Sequence, residues 1–374
     1  MILTNKFGPD ERVYKEAKYL IEKGFDVEII CWDRENEYIA KETEIYEGIK
    51  IKRFYPYAKY GTRLKQIKAF HQFIKLCKGY LEGKEYDYLH CHDLDGMLVS
   101  LFIKKKNIKT IFDMHEMYEL QKANKRSRRL IRLLVKITQN KADFIIYVND
   151  IQAKTISKKN KNKLIYLPNY PERSRFNNIS KTSSDKLRIA FIGMVRCFDE
   201  MKNLMEAVKD IKEIEVSLHG EGVAYTQLKK IEENYSNVKV TGKFTIDHIN
   251  ELYQETDILY SVYPNSIPQY YFAFPVKFFQ TIITKTPVIV SKGSILERFL
   301  KKYDIGFAVE GGNIDEIKTL IIKINSNKEL LQEKKKNLEK IQYEYCWELI
   351  SANLDKIYET PPSDIKLKIK KEQF

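Results

Sequence analysis

The sequence lacks the features that define several classes of protein. No stretch approaches the roughly 18 consecutive apolar residues of a membrane-spanning helix, and the first residues lack the basic-then-apolar order of a secretory signal. The five cysteines are scattered and form no C-x-x-C pair, which argues against a disulfide framework and a zinc cage. We therefore expect a cytoplasmic protein.

A chain of 374 residues is long for one hydrophobic core, so two domains are expected. Hydrophobic residues make up 43% and charged residues 31%, which excludes a mainly disordered chain. The 65 Lys and Arg residues exceed the 51 Asp and Glu residues, which gives a net charge of +14. Such an excess suggests an anionic partner: a nucleic acid, a phospholipid surface or a phosphorylated substrate.

Short strand-like runs alternate with longer amphipathic stretches. Strands are predicted at Val27–Trp32, Ile49–Phe54, Tyr88–Cys91, Thr110–Met114, Phe144–Val148, Leu164–Leu167, Arg188–Ile192, Val216–Leu218, Val238–Val240, Ile258–Val262 and Val288–Val290. Helices are predicted after Asp10 and at Leu64–Leu81, Gly96–Lys105 and Arg128–Asn140. This alternation is typical of parallel sheets covered on both faces. The predicted fold class is α/β, with two doubly wound, Rossmann-like domains facing a central cleft.

Composition sets the predicted domain boundaries. Pro168-Asn169-Tyr170-Pro171 and the polar residues through Asp185 are typical of a linker. We predict an N-terminal domain over 1–168, a linker over 169–186 and a second domain over 187–340. A helical stretch is predicted from about Lys328 to Tyr358, with 341–360 packing back towards the first domain, and the basic tail 361–374 is predicted to be mobile.

The start of the second domain combines a strand, a glycine turn and two cations. Gly193 follows the strand. Arg196 and Lys202 come after Gly193, close to the start of the next predicted helix. Backbone N–H groups and the helix dipole at such a turn favour an anion, and the two cations add net charge. A sharp turn with solvated cations explains the same residues, so both interpretations stay open.

Two later segments also suggest a ligand site. His219-Gly220-Glu221-Gly222 ends a strand with glycines that permit a close backbone approach. After Tyr263, Pro275 suits the first turn of a helix that presents Lys277 and Gln280 three residues apart. The alternatives are an ordinary turn and a buried aromatic helix with polar margins.

Histidines end two strands of the first domain. They lie in Leu89-His90-Cys91-His92-Asp93 and in Phe112-Asp113-Met114-His115-Glu116. At strand ends they are candidates for substrate contact, and local capping is the alternative. A zinc site from His90, His92 and His115 is disfavoured because no thiolate or carboxylate pattern completes it, and no metal site is predicted.

The segment 125–137 forms a basic amphipathic helix. Its apolar stripe would comprise Leu130, Leu133, Leu134 and Ile137, with Arg and Lys on the remaining face. This helix would either lie on anionic lipid or pack its stripe on the sheet. No zinc finger, basic zipper or aromatic RNA-binding strand is recognisable, so nucleic acid is not expected as a partner.

Taken together, these segments resemble the group 1 family of retaining glycosyltransferases, which have the two-domain GT-B architecture and use nucleotide sugars. Gly8-Pro9-Asp10-Glu11-Arg12-Val13-Tyr14-Lys15-Glu16-Ala17 is similar to the family's first helix. The similarity continues at its next two strand ends, its domain junction and its donor segments, which are His90-Cys91-His92-Asp93, Asp113-Met114-His115-Glu116, Leu167-Pro168-Asn169, Gly193 to Lys202, Gly220-Glu221-Gly222, Thr241-Gly242 and Pro275 to Gln280. It covers residues from about 5 to 350.

The resemblance implies roles for individual residues. Arg196 and Lys202 would hold the donor diphosphate, and His115 would contact the transferred sugar. The remaining donor-side residues would be Gly193, Gly220, Glu221, Tyr263, Lys277 and Gln280, and the acceptor-side residues would be Gly8, Arg12, His92 and Asp93. The reaction would need no metal and no cofactor beyond the UDP- or GDP-linked donor, because fixed cations can stabilise a departing diphosphate.

The sequence departs from the family at two positions. Gln280 stands where a Glu is usual, and Phe272 stands where many members have another Glu. Glutamine accepts one hydrogen bond from a ribose hydroxyl but brings no charge. The predicted activity is transfer of a sugar to a cell-surface glycan or lipid-linked precursor at the inner face of the membrane. The alternatives are a degenerate scaffold partner of an active enzyme and, ranked last, an isomerase of the same fold.

Overall fold

The computed structural model describes residues 1–8, 10–59, 62–103, 107–121, 124–176 and 179–358. The chain forms two compact units. Of the described residues, the first unit comprises those of Met1–Asn169 and of 351–358, and the second comprises those of Tyr170–Ile350. The predicted mobile tail 361–374 lies outside the described residues.

The first unit is built on an eight-stranded sheet. Its strands are β1 (Ile2–Leu3), β2 (Glu28–Trp32), β3 (Thr43–Tyr46), β4 (Ile49–Phe54), β5 (Tyr88–His92), β6 (Lys109–Asp113), β7 (Phe144–Tyr147) and β8 (Leu164–Tyr166). Its helices are α1 (Glu11–Glu22), α2 (Arg63–Leu81), α3 (Asp93–Ser100), α4 (Lys125–Lys141) and α5 (Asp150–Thr155). The strand order is β3-β4-β2-β1-β5-β6-β7-β8, and all pairs are parallel except β3 with β4.

Local sequence explains how the first helix begins and which face it buries. The side chain of Asp10 accepts hydrogen bonds from the backbone N–H groups of Arg12 and Val13, as an N-cap does. Val13, Ala17 and Leu20 are buried at helical spacing. The same buried face carries Arg12, Lys15 and Glu16, so this helix brings charged groups inside the unit.

The second unit is built on a six-stranded parallel sheet. Its strands are β9 (Leu187–Ile192), β10 (Ile214–His219), β11 (Val238–Gly242), β12 (Ile258–Ser261), β13 (Val288–Ser291) and β14 (Gly306–Val309), in the order β11-β10-β9-β12-β13-β14. Its helices are α6 (Phe198–Val208), α7 (Tyr225–Ile231), α8 (Ile249–Gln254), α9 (Pro268–Tyr271), α10 (Val276–Ile283), α11 (Ile295–Tyr303), α12 (Ile314–Ser326), α13 (Glu329–Ile341) and α14 (Trp347–Ile350).

Alternation along β9 fills the two cores of this unit. Ile189 and Phe191 point into a core shared with α6, α7 and α12. Ala190 and Ile192 point into the opposite core, which α8, α10, α11 and α13 complete. A strand with both faces covered buries every residue, and the doubly wound prediction is confirmed.

Three features of the chain differ from expectation. The predicted helix to Tyr358 is wrong, because α13 ends at Ile341 and, in the described residues up to Tyr358, the short α14 and a 3₁₀ turn at Ser351–Lys356 follow. The polar stretch before β9 carries Tyr170 and Phe176, which are buried in the second core. Strands β1, β3 and β14 were not predicted from the sequence. Strand β1 has only two residues, β3 is largely exposed, and β14 begins with a glycine.

Each sheet has one point where the direction of winding reverses. In the first unit it lies between β1 and β5, and in the second between β9 and β12. In open α/β sheets, ligands bind beyond the carboxyl ends of the strands at such a point. The residues that follow these four strands are therefore the candidates for function.

Among the described residues, no helix is long and apolar enough to cross a membrane. Helix α4 nevertheless exposes apolar side chains. Leu130, Leu133 and Ile137 are 57%, 55% and 39% exposed, whereas Leu134 packs towards the core with Ile131 and Val135. Of the two alternatives left open for this helix, packing of the stripe on the sheet holds for Leu134 and not for Leu130, Leu133 and Ile137.

Candidate functional site

Asp113 is the centre of the site in the first unit. It ends β6 and is fully buried. Arg12 donates to both of its carboxylate oxygens, from Nε to Oδ2 at 2.8 Å and from Nη2 to Oδ1 at 2.6 Å. His92 Nδ1 lies 3.0 Å and His115 Nε2 lies 2.8 Å from Asp113 Oδ2. One carboxylate therefore orients three predicted site residues from α1, β5 and the end of β6.

The charges in this cluster stabilise one another. Burial opposes the ionisation of Asp113, but Arg12 and His115 hold its pKa well below the ordinary value. Burial likewise opposes the charged form of His115, but Asp93 and Asp113 raise its pKa well above the ordinary value. His115 Nδ1 lies 3.3 Å from Asp93 Oδ2, so both ring nitrogens face carboxylates. Both contacts therefore favour the protonated, imidazolium form of His115.

Asp93 is the most accessible charged member of the cluster. Its side chain is 39% exposed and that of His115 is 18% exposed. The backbone of Asp93 has φ of +62°, a left-handed conformation that a non-glycine residue keeps only when its surroundings hold it. Tyr118 donates to its Oδ1 at 3.0 Å. The structure thus holds one carboxylate and one imidazolium at the open edge of the first unit's switch point.

A more deeply buried layer lies behind these groups. Burial and Asp113 raise the pKa of Glu16 to about 8, although Arg12 Nε lies only 3.1 Å from its Oε1. Burial lowers the pKa of His90 well below its ordinary value and also lowers that of His92. Glu16 Oε2 and His90 Nε2 are 3.4 Å apart. A protonated Glu16 facing a neutral His90 fits this geometry.

The same layer contains a set of potential metal ligands. Glu16, His90, His92 and Asp113 each offer a ligand atom within 4.8 Å of the others. However, the guanidinium of Arg12 pairs with both carboxylates of the set. A metal ion would have to enter beside this fixed cation or displace it. Arg12 therefore already supplies the positive charge that the Asp113 carboxylate requires.

The structure also shows what holds the predicted acceptor-side residues. Arg12 is only 4% exposed and donates from Nη1 to the carbonyl of Leu167 at 3.0 Å. Lys15 donates to Asn169 Oδ1 at 3.0 Å. Helix α1 thus fixes the end of β8, and Arg12 positions other groups rather than contacting solvent. Gly8 is exposed in the segment that follows β1.

Two glycine turns pack against each other at the switch point of the second unit. Gly193 follows β9 and donates from its N–H to the carbonyl of His219 at 2.9 Å. A Cβ added to Gly220, whose φ is +134°, would lie 1.8 Å from the carbonyl oxygen of Gly193. The close approach that this glycine permits is therefore to the neighbouring turn.

The two predicted diphosphate cations are exposed near these turns. Arg196 precedes α6 and Lys202 lies in its first half. Neither side chain forms an ion pair with a carboxylate of the described residues, and Arg196 Nε contacts Met194 Sδ at 3.0 Å. Glu221 is also exposed, and its carbonyl accepts from the Val195 N–H at 2.9 Å. The structure thus brings Gly193, Arg196, Gly220 and Glu221 together as expected from the sequence.

Lys277 reaches the same place from α10. The residue is 9% exposed, and its Nζ lies 3.3 Å from the centre of the Phe191 ring and 5.6 Å from that of Tyr263. Tyr263 follows β12 and stacks on Tyr270 with ring centres 5.0 Å apart. Lys277 therefore joins the ends of the two strands that flank the switch point.

Gln280 and Phe272 occupy apolar surroundings. Gln280 is 5% exposed, and the hydroxyl of Tyr253 donates to its Oε1 at 3.1 Å. Phe272 packs edge-on against Tyr271. Pro275 occupies the N-cap of α10 rather than its first turn.

Some residues of these sites had no clear signal in the sequence. Asp113 lies in the same strand-end segment as His115, and the D-x-H spacing was the only feature of the sequence that pointed to it. Tyr358 hydrogen-bonds His90 Nδ1 at 2.8 Å across 268 positions of the chain, and no local pattern predicts such a contact. In the sequence, Phe191 has the pattern of an ordinary core residue. In the structure, Lys277 Nζ lies over the face of its ring.

The fold and the sites define a class: a protein of two doubly wound α/β units that presents cations at one winding reversal and a histidine–carboxylate cluster at the other. The family models agree with this class. Residues 8–169 match Glycosyltransferase Family 4, and residues 172–341 match Glycosyl transferases group 1. The chain therefore belongs to the group 1 glycosyltransferases, a family of the GT-B architecture. No curated protein matches it significantly.

Solved structures share the fold over nearly the whole chain. Sucrose-phosphate synthase from Thermosynechococcus elongatus has a TM-score of 0.77 at 15% identity, covering 96% of this chain and 97% of that one. Anabaena Alr3699/HepE in complex with UDP and glucose has a TM-score of 0.68 at 12% identity, covering 95% and 98%. A glycosyltransferase from Rickettsia africae has a TM-score of 0.67 at 16% identity, covering 96% and 97%.

Proposed function

We propose that this glycosyltransferase moves a sugar from a UDP- or GDP-linked donor to a cell-surface glycan or lipid-linked precursor, with retention of configuration and without a metal. The observation that carries the proposal is the set of cations at the switch point of the second unit. Arg196 and Lys202 are exposed after β9 without a carboxylate partner among the described residues, and Lys277 is near enough to Arg196 for their charges to interact.

These cations suit a leaving diphosphate. Its negative charge grows as the bond to the sugar breaks, so groups already fixed in place stabilise the transition state more than the ground state. The dipole at the N-terminus of α6 adds a further favourable interaction with negative charge. This chemistry can replace a metal ion, which is the basis for proposing metal independence.

In the first unit, we assign His115 and Asp93 to sugar recognition. A sugar hydroxyl can donate to the exposed carboxylate of Asp93, whose Oδ2 lies 3.3 Å from His115 Nδ1. Arg12 and His92 would keep this pair in place through Asp113. The donor base is proposed as uridine or guanosine, and Anabaena HepE, which shares the fold, was solved with UDP and glucose.

We further propose that α4 rests on the anionic inner surface of the cytoplasmic membrane. Leu130, Leu133 and Ile137 form an exposed row, and exposed cations lie around it: Lys125, Arg126, Arg129, Arg132, Lys136 and Lys141. Apolar side chains flanked by cations suit the boundary between lipid headgroups and acyl chains. A lipid-linked acceptor would then lie in the surface that the enzyme contacts.

The second candidate function is a scaffold that partners an active transferase. It rests on Gln280 and Phe272, which replace acidic residues usual in the family and lie in apolar surroundings. A scaffold would bind its partner without releasing nucleotide from any donor.

Nucleotide release from UDP- and GDP-sugars tests the enzyme against the scaffold. We expect the wild-type protein to release UDP or GDP from at least one donor, and to do so in the presence of a chelator. Replacing Arg196 and Lys202 together by alanine should lower the rate at least about 100-fold, in line with the loss of charge-stabilising groups.

The matched control removes two cations from the other end of α6. Lys209→Ala combined with Lys212→Ala makes the same change in net charge at exposed positions away from the switch point, and its rate should stay close to wild type. An active Arg196→Ala/Lys202→Ala protein would refute the assigned donor site. Absence of release from every donor, with co-purification of an active partner, would favour the scaffold. The anomeric configuration of the product, read by NMR, tests retention.

A further inference from the structure

Lys277 is a buried lysine whose amine has no counter-ion among the described residues. Its Nζ has no hydrogen-bond partner and is not exposed to solvent, and it rests 3.3 Å from the centre of the Phe191 ring. A cation–π contact offsets only part of the cost of burying an ammonium. The charged form of Lys277 therefore lacks an anionic partner.

The Lys277 amine lies against Gly193. A Cβ added there would lie 3.1 Å from Lys277 Nζ and 3.3 Å from its Cε. Because Gly193 has no side chain, only backbone separates the ammonium from the turn that follows β9. An anion that approaches this turn would thus come within reach of Lys277.

The groups around Lys277 do not neutralise it. The titratable side chains that face the Lys277 amine are Arg196 and Cys197, from the turn after β9, and Tyr263, from the end of β12. Burial lowers the pKa of Lys277 well below its ordinary value, which Cys197 opposes and Arg196 reinforces.

We propose that Lys277 is a proton-linked phosphate contact: binding of a nucleoside diphosphate brings the missing negative charge, and the Lys277 amine takes up a proton from solvent as the complex forms. This inference rests on the proposed donor site and adds how the site recognises charge. The proton joins the Nζ lone pair, no covalent bond to the ligand forms, and dissociation returns the proton to solvent. Donor affinity therefore falls as the pH rises.

Calorimetry of UDP and GDP binding tests this proposal. Titrations of the full-length protein at pH 8.5 in buffers of different ionisation enthalpy yield the number of protons exchanged. The terminal phosphate of the nucleotide has a pKa of about 6 and is already ionised, and the neighbouring Cys197 thiol and Tyr263 phenol, whose pKa values are raised, are already protonated. Proton uptake therefore reports Lys277.

We expect the wild-type protein to take up between about half a proton and one proton per nucleotide bound. Lys277→Met should bind at least about tenfold more weakly and take up none. Lys277→Arg keeps a permanent cation, so it should bind without proton uptake and with an affinity that varies less with pH. Lys212→Met, which removes an exposed lysine elsewhere in the unit, should behave as wild type. Far-UV circular dichroism and thermal unfolding establish that each variant is folded.

Nucleotide binding by the wild type without proton uptake, or equal uptake by Lys277→Met, would overturn this inference while leaving the proposed function intact. Absence of binding by both UDP and GDP would instead refute the donor site and the inference with it. If Lys277→Arg fails to fold, Lys277→Met and the pH dependence of the wild-type affinity still decide between these outcomes.

Discussion

Arg12 and Asp113 form a two-point ion pair across the first unit, with Nε to Oδ2 at 2.8 Å and Nη2 to Oδ1 at 2.6 Å. The residues are 101 positions apart in the chain, and their side chains are 4% and 0% exposed. Removing one partner of a buried pair leaves an uncompensated charge inside the protein. The stability of the first unit should therefore depend on Arg12.

Arg12→Met should lower the free energy of unfolding by about 3–5 kcal/mol. The control is Lys50→Met, which breaks the exposed pair with Asp26 and should cost less than about 1 kcal/mol. Urea unfolding followed by circular dichroism measures both. Equal losses in the two variants would show that Arg12 is not the organising cation of the cluster.

His115 should make stability depend on pH. Its pKa in the folded protein is raised well above the ordinary value of 6.5, chiefly because Asp93 and Asp113 outweigh its burial. Such a group contributes stability that is fully present below pH 6.5 and is lost as the pH rises through the folded pKa. At pH 6, the wild type should exceed His115→Asn by about 2 kcal/mol, as for a hydrogen-bonded charged group.

The difference between these two proteins should shrink as the pH rises above 7 towards and through the folded pKa. Urea unfolding of both proteins across this range measures it, and other titrating groups largely cancel in the comparison. A difference that grows with pH would mean that His115 is neutral in the fold and that its two carboxylate contacts do not charge it.

Gly220 should be intolerant of any side chain. A Cβ there would lie 1.8 Å from the carbonyl oxygen of Gly193, and the φ of +134° is unfavourable for other residues. Gly220→Ala should cost more than about 2 kcal/mol and reduce nucleotide release, because the two turns must separate. Gly312 has no atom within 4 Å of its would-be Cβ, so Gly312→Ala should leave stability unchanged to within about 0.5 kcal/mol.

Thermal unfolding and the nucleotide-release assay measure both glycine variants. Wild-type behaviour of Gly220→Ala would show that the turns adjust at little cost. Their mutual packing would then not be required at the switch point.

Helix α4 should bind anionic vesicles. Sedimentation with phosphatidylglycerol-containing vesicles should capture the wild type, and pure phosphatidylcholine should capture much less. Arg129→Glu with Arg132→Glu should weaken binding at least about 30-fold, because each cation near the surface contributes about 1 kcal/mol. Leu130→Ser with Leu133→Ser should weaken it at high salt as well, since the apolar contribution is not screened.

The control for vesicle binding is Lys158→Glu with Lys159→Glu. It makes the same change in net charge at two exposed lysines of the first unit outside α4, and it should bind far better than the Arg129 and Arg132 pair. Equal vesicle binding by both charge-reversed proteins would show that α4 is an ordinary surface helix without a specific role in membrane binding.

Periodicity predicted the alternating strands and helices because buried parallel strands need apolar side chains on both faces. The match at Ile49–Phe54 is complete, and those at Val288–Ser291 and Lys125–Lys141 differ by one to three residues. The edge strand Thr43–Tyr46 was not predicted from the sequence because it is largely exposed. The end of α13 at Ile341 was not predicted, because polar and apolar residues continue at helical spacing beyond it.

The candidate sites were predictable only where chemistry is local. A cation after a glycine turn is visible in the sequence, as Arg196 is. The joining of Arg12 to Asp113 depends on sheet order, and the exposure of Leu130 depends on which face of α4 the sheet covers. Lys277 was identified as a candidate, but its lack of a counter-ion is a property of the packed fold.

Hydrogen–deuterium exchange of the full-length protein with and without saturating UDP or GDP tests the central claim most directly. The claim is that a nucleoside diphosphate binds at the switch point of the second unit. We predict slower exchange in peptides that cover 193–202 and 263–280, with no change in those that cover 125–141. Binding with protection confined to other segments, or no protection by either nucleotide, would contradict it.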